Sequence, residues 1–206
     1  MTVQMKSVNY LFVVFAMFCG LRLAAAQDTI TFVTTDSIIV HGDFYASAAA
    51  SNGILILLHM NHSNRSVWKS FAEKAVAQDF DALAIDFRGH GESTQAQSRE
   101  ITFESLTNDD YAKMINDVDG AVRWLRSDPE LANLPIGIIG ASIGANVALS
   151  YAVSDESIPA IVMISPGEDY RGVQTLPAIK LLENRPCLII SAEDDNYSSV
   201  SSRKLA

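Results

Sequence analysis

The chain has 206 residues, of which 49% are hydrophobic and 19% are charged. That length can hold one packed core and is too short for two ordinary domains, so we expect a single domain. The 24 acidic and 15 basic residues give a formal net charge of −9. An acidic surface repels phosphate backbones, so the sequence predicts no nucleic-acid partner.

Residues 1–26 have the pattern of a secretory signal peptide. Lys6 precedes an apolar run over residues 11–18, and the alanines at 24–26 provide the small residues of a cleavage site. A helix that spans a bilayer needs about 20 apolar residues. The run is shorter than that and is followed by Arg22, so an uncleaved anchor is the weaker alternative. We expect cleavage after residue 26 and a secreted or periplasmic protein without a stable membrane span.

The domain expected after cleavage, residues 27–206, keeps 13 basic residues against 24 acidic ones, because only Lys6 and Arg22 are removed. One of the two cysteines, Cys187, remains in it. No disulfide can therefore form within this domain, and its stability must come from the packed core.

Apolar segments of strand length alternate with segments of helical period after residue 27. The predicted elements are a hairpin of strands at 30–33 and 38–45, a strand at 53–58, a helix at 68–76, a strand at 82–85, a helix that starts with a cap and acidic residues within 108–110 and continues to 125, and strands at 136–139, 160–164 and 187–190. This alternation predicts an α/β fold with a mainly parallel central sheet and helices on both faces.

The segment Gly140-Ala141-Ser142-Ile143-Gly144 directly follows a predicted buried strand and leads into a helical segment. A Gly-x-Ser-x-Gly pattern alone is common, but a strand before it and a helix after it are the context of a nucleophile elbow. The sequence lacks the glycine-rich patterns that bind dinucleotides or nucleotide phosphates. We therefore predict that Ser142 is a catalytic nucleophile.

Three segments resemble the α/β-hydrolase superfamily, in its esterase, dienelactone-hydrolase-like and serine-aminopeptidase-like branch. They are residues 57–60, residues 84–93 with the sequence AIDFRGHGES, and the elbow at 140–144, and the resemblance extends from about Ile38 to Ala206. It implies a serine hydrolase that acts on carboxylic esters or related small acyl compounds through an acyl-enzyme, without cofactor or metal. The segment between the last two predicted strands is too short for an inserted lid domain.

The resemblance also implies the other site residues. The backbone N–H groups of Met60 and Ile143 would hold the oxyanion, and Ile143 suits that role because it opens a helix, where N–H groups lack intrahelical partners. The acid is expected on the loop after the strand at 187–190, where Asp194 fits best. Asp195 is the alternative, and a merely solvated acidic turn is the third interpretation of this loop.

The base is the difficulty, because enzymes of this class place a histidine after the acid. The four histidines are His41, His59, His62 and His90, and all of them precede Ser142. We expect His59 and His90 to be structural and keep His62 as a weak candidate for an improvised base.

Residues 202–206 resemble the first turns of the helix that follows the acid loop. We therefore expect the last strand, the histidine loop and the closing helix to be absent from this chain, and the domain to be incomplete at its C-terminus. Such a chain would be a poorly active hydrolase. The alternative is an impaired or truncated homologue that serves as a binding protein or has no function.

Overall fold

The computed structural model describes residues 27–96 and 99–206, so the predicted signal peptide lies outside it. The elements in chain order are β1 (Gln27–Val33), β2 (Ile38–Tyr45), β3 (Ile54–Leu58), a 3-10 helix (Arg65–Trp68), α1 (Lys69–Val76), β4 (Asp81–Ile85), β5 (Gln95–Ala96), β6 (Arg99–Glu100), a 3-10 helix (Phe103–Ser105), α2 (Asn108–Ala112), α3 (Ile115–Ser127), β7 (Ile136–Ala141), α4 (Ile143–Ser154), β8 (Ile161–Ile164), β9 (Asp169–Tyr170), β10 (Val173–Gln174), α5 (Leu176–Ile179), β11 (Cys187–Ile190) and α6 (Asn196–Leu205).

Nine strands of the described ranges form one sheet in the order β11-β8-β7-β3-β4-β2-β5-β6, with β1 paired to β2. The five strands β11, β8, β7, β3 and β4 are parallel to their neighbours, and β2 begins the antiparallel part. The predicted mainly parallel sheet and the leading hairpin, formed by β1 and β2, are confirmed.

Helices cover both faces of this sheet, as predicted. Helices α3 and α4 bury their apolar residues in the larger core cluster, together with one face of the central strands. Helix α1 packs on the opposite face, where Trp68, Ala72 and Val76 meet Leu57 and Ile139. The spacing of these three helical residues is the amphipathic period that indicated a helix in the sequence.

The prediction of one continuous helix from residue 108 to residue 125 is wrong, because the structure forms α2 and α3 instead. The N–H of Met114 donates to the carbonyl of Tyr111 at 3.1 Å, three residues back rather than four. This tighter turn interrupts the α-helix while keeping both side chains buried. The cap of α2 is Thr107, whose hydroxyl accepts the N–H of Asp110.

Residues 202–205 belong to the helix that follows the acid loop, as expected, but they end this helix, α6, rather than form its first turns. That helix begins at Asn196, and the carboxylate of Asp195 caps it by accepting the N–H of Ser198 at 3.2 Å. The sequence of α6 is rich in serine, and its buried face contains four serines and Leu205. This face lacked the apolar period that identified the other helices.

The order of the strands locates the site. The chain passes from β3 through α1 to β4 on one side of β3, and then returns through α3 to β7 on the other side. The connections therefore diverge between β3 and β7. In open parallel sheets, a crevice for ligands forms at such a point, outside the carboxyl ends of the strands.

Candidate active site

The predicted oxyanion loop and the predicted nucleophile lie side by side at this crevice. Leu58 of β3 is paired with Gly140 of β7 in the parallel register. Met60 and Ser142 each follow that pair by two residues, so both leave the sheet at the same edge. The sheet thus brings together two residues that are 82 positions apart in the sequence.

The backbone at Ser142 has the conformation of a nucleophile elbow, with φ 53° and ψ −119°. Its N–H donates to the carbonyl of Ile164 on β8 at 2.8 Å, which holds the turn against the sheet. The flanking glycines leave no room for a side chain. A Cβ on Gly140 would lie 2.1 Å from the carbonyl oxygen of Gly144, and a Cβ on Gly144 would lie 2.5 Å from that of Leu58.

This geometry agrees with what the motif requires, since a strained turn projects the serine hydroxyl outward from the sheet edge. Ser142 is partly exposed, whereas its neighbours Ala141 and Ile143 are buried. Ile143 is the first residue of α4, so its N–H belongs to the group without intrahelical acceptors. The roles of Ser142, Ile143 and Met60 in a reaction remain predictions.

Residues 59–65, which we call the oxyanion loop, are fixed at the first end by His59. This imidazole is fully buried; its Nδ1 donates to the carbonyl of Met60 at 2.7 Å, and its Nε2 accepts the N–H of Phe87 at 3.0 Å. Burial lowers the pKa of His59 to about 4. Because the neutral ring uses both nitrogens, His59 has the structural role that the sequence predicted.

Arg65 fixes the other end of the oxyanion loop. Its guanidinium contacts the carboxylates of Asp86 and Glu92, and its Nε lies 3.0 Å from Asp43 Oδ1. Its backbone N–H also donates to Asp86 at 2.6 Å. A planar guanidinium can donate hydrogen bonds to three carboxylates in three fixed directions. A lysine ammonium on its flexible stem would hold the same carboxylates less rigidly. Neither the spacing nor the residue types singled out Arg65, because its partners lie on separate elements.

Asn61 supports the middle of the oxyanion loop. Its side-chain oxygen accepts the hydroxyl of buried Tyr111 at 3.0 Å and lies 3.1 Å from His90 Nε2. The Nδ1 of His90 lies 3.0 Å from the carbonyl oxygen of Arg88, so each nitrogen of this ring lies within hydrogen-bond distance of an oxygen. His62 is exposed and packs edge-on against Phe103, with 4.6 Å between ring centroids.

A buried ion-pair network lies behind the Arg88-Gly89-His90-Gly91 turn. Arg88 is 2% exposed, and its guanidinium donates to Asp117 at 2.7 and 3.0 Å and to Asp36 at 2.6 and 3.0 Å. The backbone N–H of Arg88 adds a bond to Asp117 at 2.9 Å. Burial raises the pKa of Asp117, and the Arg88 guanidinium opposes that rise. The network joins the first hairpin, this turn and α3.

The two candidate acids differ in exposure and in their hydrogen bonds. Asp194 is exposed, whereas Asp195 is the cap of α6. Hydrogen bonds from Ser198, and a further one from the side chain of Ser165, lower the pKa of Asp195. Ser165 follows β8 at the level of Ser142 on β7, because Ala141 is paired with Ile164. The alternative acid is therefore the one with a described contact to Ser165, which lies level with Ser142 in the sheet.

No hydrogen bond joins the Ser142 hydroxyl to an imidazole in the part of the chain that the structure describes, which includes all four histidines. The ring nitrogens of His59 and His90 lie within hydrogen-bond distance of other groups. Within residues 27–96 and 99–206, no cluster of three His, Cys, Asp or Glu side chains could hold a metal. Over the same residues, no helix has the length and apolarity to cross a bilayer.

One further residue shapes the site and was missed in the sequence. Asn146 lies one turn beyond Ser142 on α4 and is fully buried. Its amide donates to the carbonyls of Gly167 at 3.0 Å and Val173 at 2.7 Å, and its oxygen accepts the N–H of Gly167 at 3.1 Å. The available signal was a lone amide in an otherwise apolar helix, because a buried polar group needs partners.

Comparisons with known proteins agree with the fold. Residues 49–185 match the family described as Serine aminopeptidase, S33. The match covers more than half of the chain, so the chain belongs to this family of α/β hydrolases.

Individual relatives are more distant. The chain is 26% identical to the thiohydrolase aneE of Aspergillus aculeatus over 137 residues, which are 66% of this chain and 41% of that protein. The chain thus spans about two fifths of the length of this curated relative.

Two solved esterases have the same fold. One, from Pyrococcus furiosus, superposes with a TM-score of 0.65 at 19% identity and covers 88% of this chain and 78% of its own. The other, a cold-adapted esterase from an Arctic intertidal metagenomic library, has a TM-score of 0.68 at 20% identity and covers 89% and 79%.

Proposed function

We propose that this chain is a serine hydrolase that cleaves carboxylic esters or related acyl compounds through an acyl-enzyme on Ser142. The observation that carries the proposal is the backbone of Ser142, with φ 53° between β7 and α4 and glycines that admit no Cβ on either side. A strained conformation of this kind persists where the surrounding structure enforces it, and such positions cluster at active sites. The 26% identity to a thiohydrolase supports including thioesters among the acyl compounds.

The proposed reaction begins when Ser142 Oγ adds to the acyl carbonyl carbon and its proton passes to water, which later protonates the leaving group. The resulting oxyanion is held by the N–H groups of Met60 and Ile143, and loss of one such donor typically costs about 10²- to 10³-fold in rate. The carbonyl re-forms as the leaving group departs with a proton, which gives the acyl-enzyme. Water then adds to the acyl carbon and releases the acid and the free serine.

The acid of the proposed site is Asp195 rather than Asp194. Support comes from its position as the cap of α6, its bond from Ser198, and the Ser165 side chain beside it, whereas Asp194 is exposed. A comparison of Asp195→Asn with Asp194→Asn tests this choice. We expect Asp195→Asn to slow acylation of Ser142 more than Asp194→Asn does. If Asp194→Asn has the larger effect, Asp194 is the acid.

The base determines how fast the reaction can be. Because the four histidines are committed elsewhere or lack a bond to Ser142, we expect these 206 residues by themselves to turn over substrate slowly. An oxyanion hole and binding alone can retain about 10³- to 10⁴-fold acceleration over water when triad members are removed. Rapid, Ser142-dependent turnover of p-nitrophenyl acetate would contradict this expectation and would point back to His62.

A fluorophosphonate probe tests the nucleophile itself. We expect labelling at Ser142 in the wild-type chain and its loss in Ser142→Ala. Ser150→Ala is the matched control, because Ser150 lies on the same helix α4 and its hydroxyl donates to the carbonyl of Asn146 at 3.0 Å. Labelling that persists in Ser142→Ala would contradict the proposal.

A non-catalytic binding protein is the second candidate, and it is favoured because no hydrogen bond joins the Ser142 hydroxyl to an imidazole among residues 27–96 and 99–206. It would keep the crevice and the oxyanion loop but would not activate the serine. The same labelling separates the two candidates, since a bystander serine stays unlabelled while acyl compounds still bind.

We also infer that the protein is exported, because residues 1–26 combine Lys6, an apolar run and the alanines at 24–26. N-terminal sequencing of the protein recovered from the periplasm or the medium tests this. A first residue of Gln27 is expected, whereas retention of Met1 in the cell would contradict export.

A further inference from the structure

A short hairpin stands at the mouth of the crevice and is anchored to the nucleophile helix. It consists of β9 and β10 within residues 165–175, and we call these residues the site hairpin. The buried amide of Asn146 holds its base at Gly167 and Val173. Thr175 Oγ1 donates to the carbonyl of Gly167 at 2.7 Å and closes the base. The position of the hairpin is therefore set by the same helix that presents Ser142.

The tip of the site hairpin places an arginine under backbone strain. Arg171 has φ 55° and Gly172 has φ 90°, so a residue with a long side chain occupies the left-handed region beside a glycine. Asp169 stabilises this turn, because its Oδ1 accepts the N–H of Gly172 at 2.7 Å. An observed outlier of this kind is a reason to look for a function of the side chain that it orients.

The side chain of Arg171 extends to the ring of Tyr111 on α2. Its guanidinium carbon lies 5.5 Å from the centroid of the Tyr111 ring. The hydroxyl of Tyr111 donates to Asn61, which directly follows the proposed oxyanion donor Met60. Arg171 therefore connects the site hairpin, which is anchored to the nucleophile helix, with Tyr111, whose hydroxyl supports the oxyanion loop.

The guanidinium of Arg171 is exposed and has no carboxylate partner within 4.0 Å in the parts of the chain described, 27–96 and 99–206. The nearby Asp169 uses its oxygens on Gly172 and on the amide of Gln174, at 2.7 and 3.2 Å. Arg65 and Arg88, by contrast, contact several carboxylates each. Stacking on an aromatic face leaves the N–H edges of a guanidinium available to an anion.

We propose that Arg171 forms an anion subsite that binds a carboxylate on the acyl group, so that the preferred substrates are esters or thioesters of dicarboxylic acids. The subsite rests on the proposed function, because it selects substrates for Ser142. In a chain with a net charge of −9, a guanidinium without a carboxylate partner among the described residues attracts such a group against the general repulsion. Arg171 is a specificity-determining residue in this proposal and has no part in bond breaking.

A pair of arylboronic acids tests the subsite without turnover, because boron forms a reversible adduct with a nucleophilic serine. The probes are 3-carboxyphenylboronic acid and its neutral isostere 3-carbamoylphenylboronic acid, with Kd measured by isothermal titration calorimetry. We expect the wild-type chain to bind the carboxylate about tenfold more tightly than the amide, as one charge-assisted contact provides. Added salt should reduce this preference, because the site is exposed.

Three variants complete the design. Arg171→Gln should bind both probes equally, Arg171→Lys should keep part of the preference, and Arg123→Gln should behave as the wild type. The last variant makes the same change of charge on α3, where Arg123 pairs with Asp119. Equal binding of the probes by the wild type, or a preference that survives Arg171→Gln, would overturn the subsite alone. Failure of both probes to bind, or unchanged binding in Ser142→Ala, would overturn the proposed function together with the subsite.

Discussion

Replacing Arg88 by methionine is the sharpest test of how the turn beside the site is held. The variant keeps the apolar stem and removes every guanidinium bond to Asp117 and Asp36. Asp117 has no exposed side-chain surface, so its charge would remain buried with a single backbone N–H as its partner. Breaking a buried pair from one side typically costs about 3–5 kcal/mol. Asp36 adds less, because its side chain is 30% exposed and water can replace the lost bonds.

The assay is urea and thermal unfolding followed by circular dichroism at neutral pH. For a domain of this size each kcal/mol shifts Tm by roughly 2–4 °C, so we expect a decrease of about 6–20 °C. The double variant Arg88→Met/Asp117→Leu should recover much of the loss, because a buried apolar pair carries no unpaired charge. Arg123→Met, which breaks an exposed pair on α3, should change stability by less than about 0.5 kcal/mol. A loss below about 1 kcal/mol for Arg88→Met would refute the reasoning.

Three further outcomes follow from the geometry of the site. Burial lowers the pKa of His59 to about 4, so an NMR titration of its ring should show no protonation near pH 6. The neutral ring contributes stability above pH 6.5, and up to ~3 kcal/mol of it should be lost as the pH falls from 6.5 through 4; a ring midpoint near 6.5 would contradict this. Gly144→Ala places a Cβ 2.5 Å from the carbonyl of Leu58, so the start of α4 must move and fluorophosphonate labelling of Ser142 should slow by about 10²-fold or more; an unchanged rate would show that the contact is tolerated. Arg65→Lys should increase hydrogen exchange in residues 59–65 while exchange in the central strands stays the same, and equal protection in both proteins would remove Arg65 from the support of the oxyanion loop.

The parts of the fold that the sequence predicted are those encoded by local patterns. Continuous apolar runs identified the buried parallel strands, and the spacing of Trp68, Ala72 and Val76 identified α1. The elbow was recognisable because the strain at Ser142 requires small residues at fixed positions on both sides. Each of these signals lies within a few residues of the element that it describes.

The parts that were missed depend on single polar contacts at the ends of elements or on contacts between distant segments. The break before α3 arises where the N–H of Met114 bonds to a carbonyl three residues back instead of four. Helix α6 is stabilised by the cap at Asp195 and by polar packing of its serines. The ion pairs of Arg65 require Asp43 of β2 to meet Asp86 and Glu92 of the turn after β4. The site hairpin consists of strands of two residues each, too short to show an alternating pattern. The spacing of residues within one segment does not predict which distant segments come into contact.

The formation of an acyl-enzyme on Ser142 tests the central claim most directly. If the serine attacks acyl compounds while no histidine assists deacylation, incubation with p-nitrophenyl acetate should leave an acetyl group that peptide mass spectrometry locates on Ser142. The adduct should be absent from Ser142→Ala and present in Ser150→Ala. A wild-type chain with no acetyl group at Ser142 after prolonged incubation with excess ester would contradict the account, and the chain would then be a binding protein with the fold of a hydrolase.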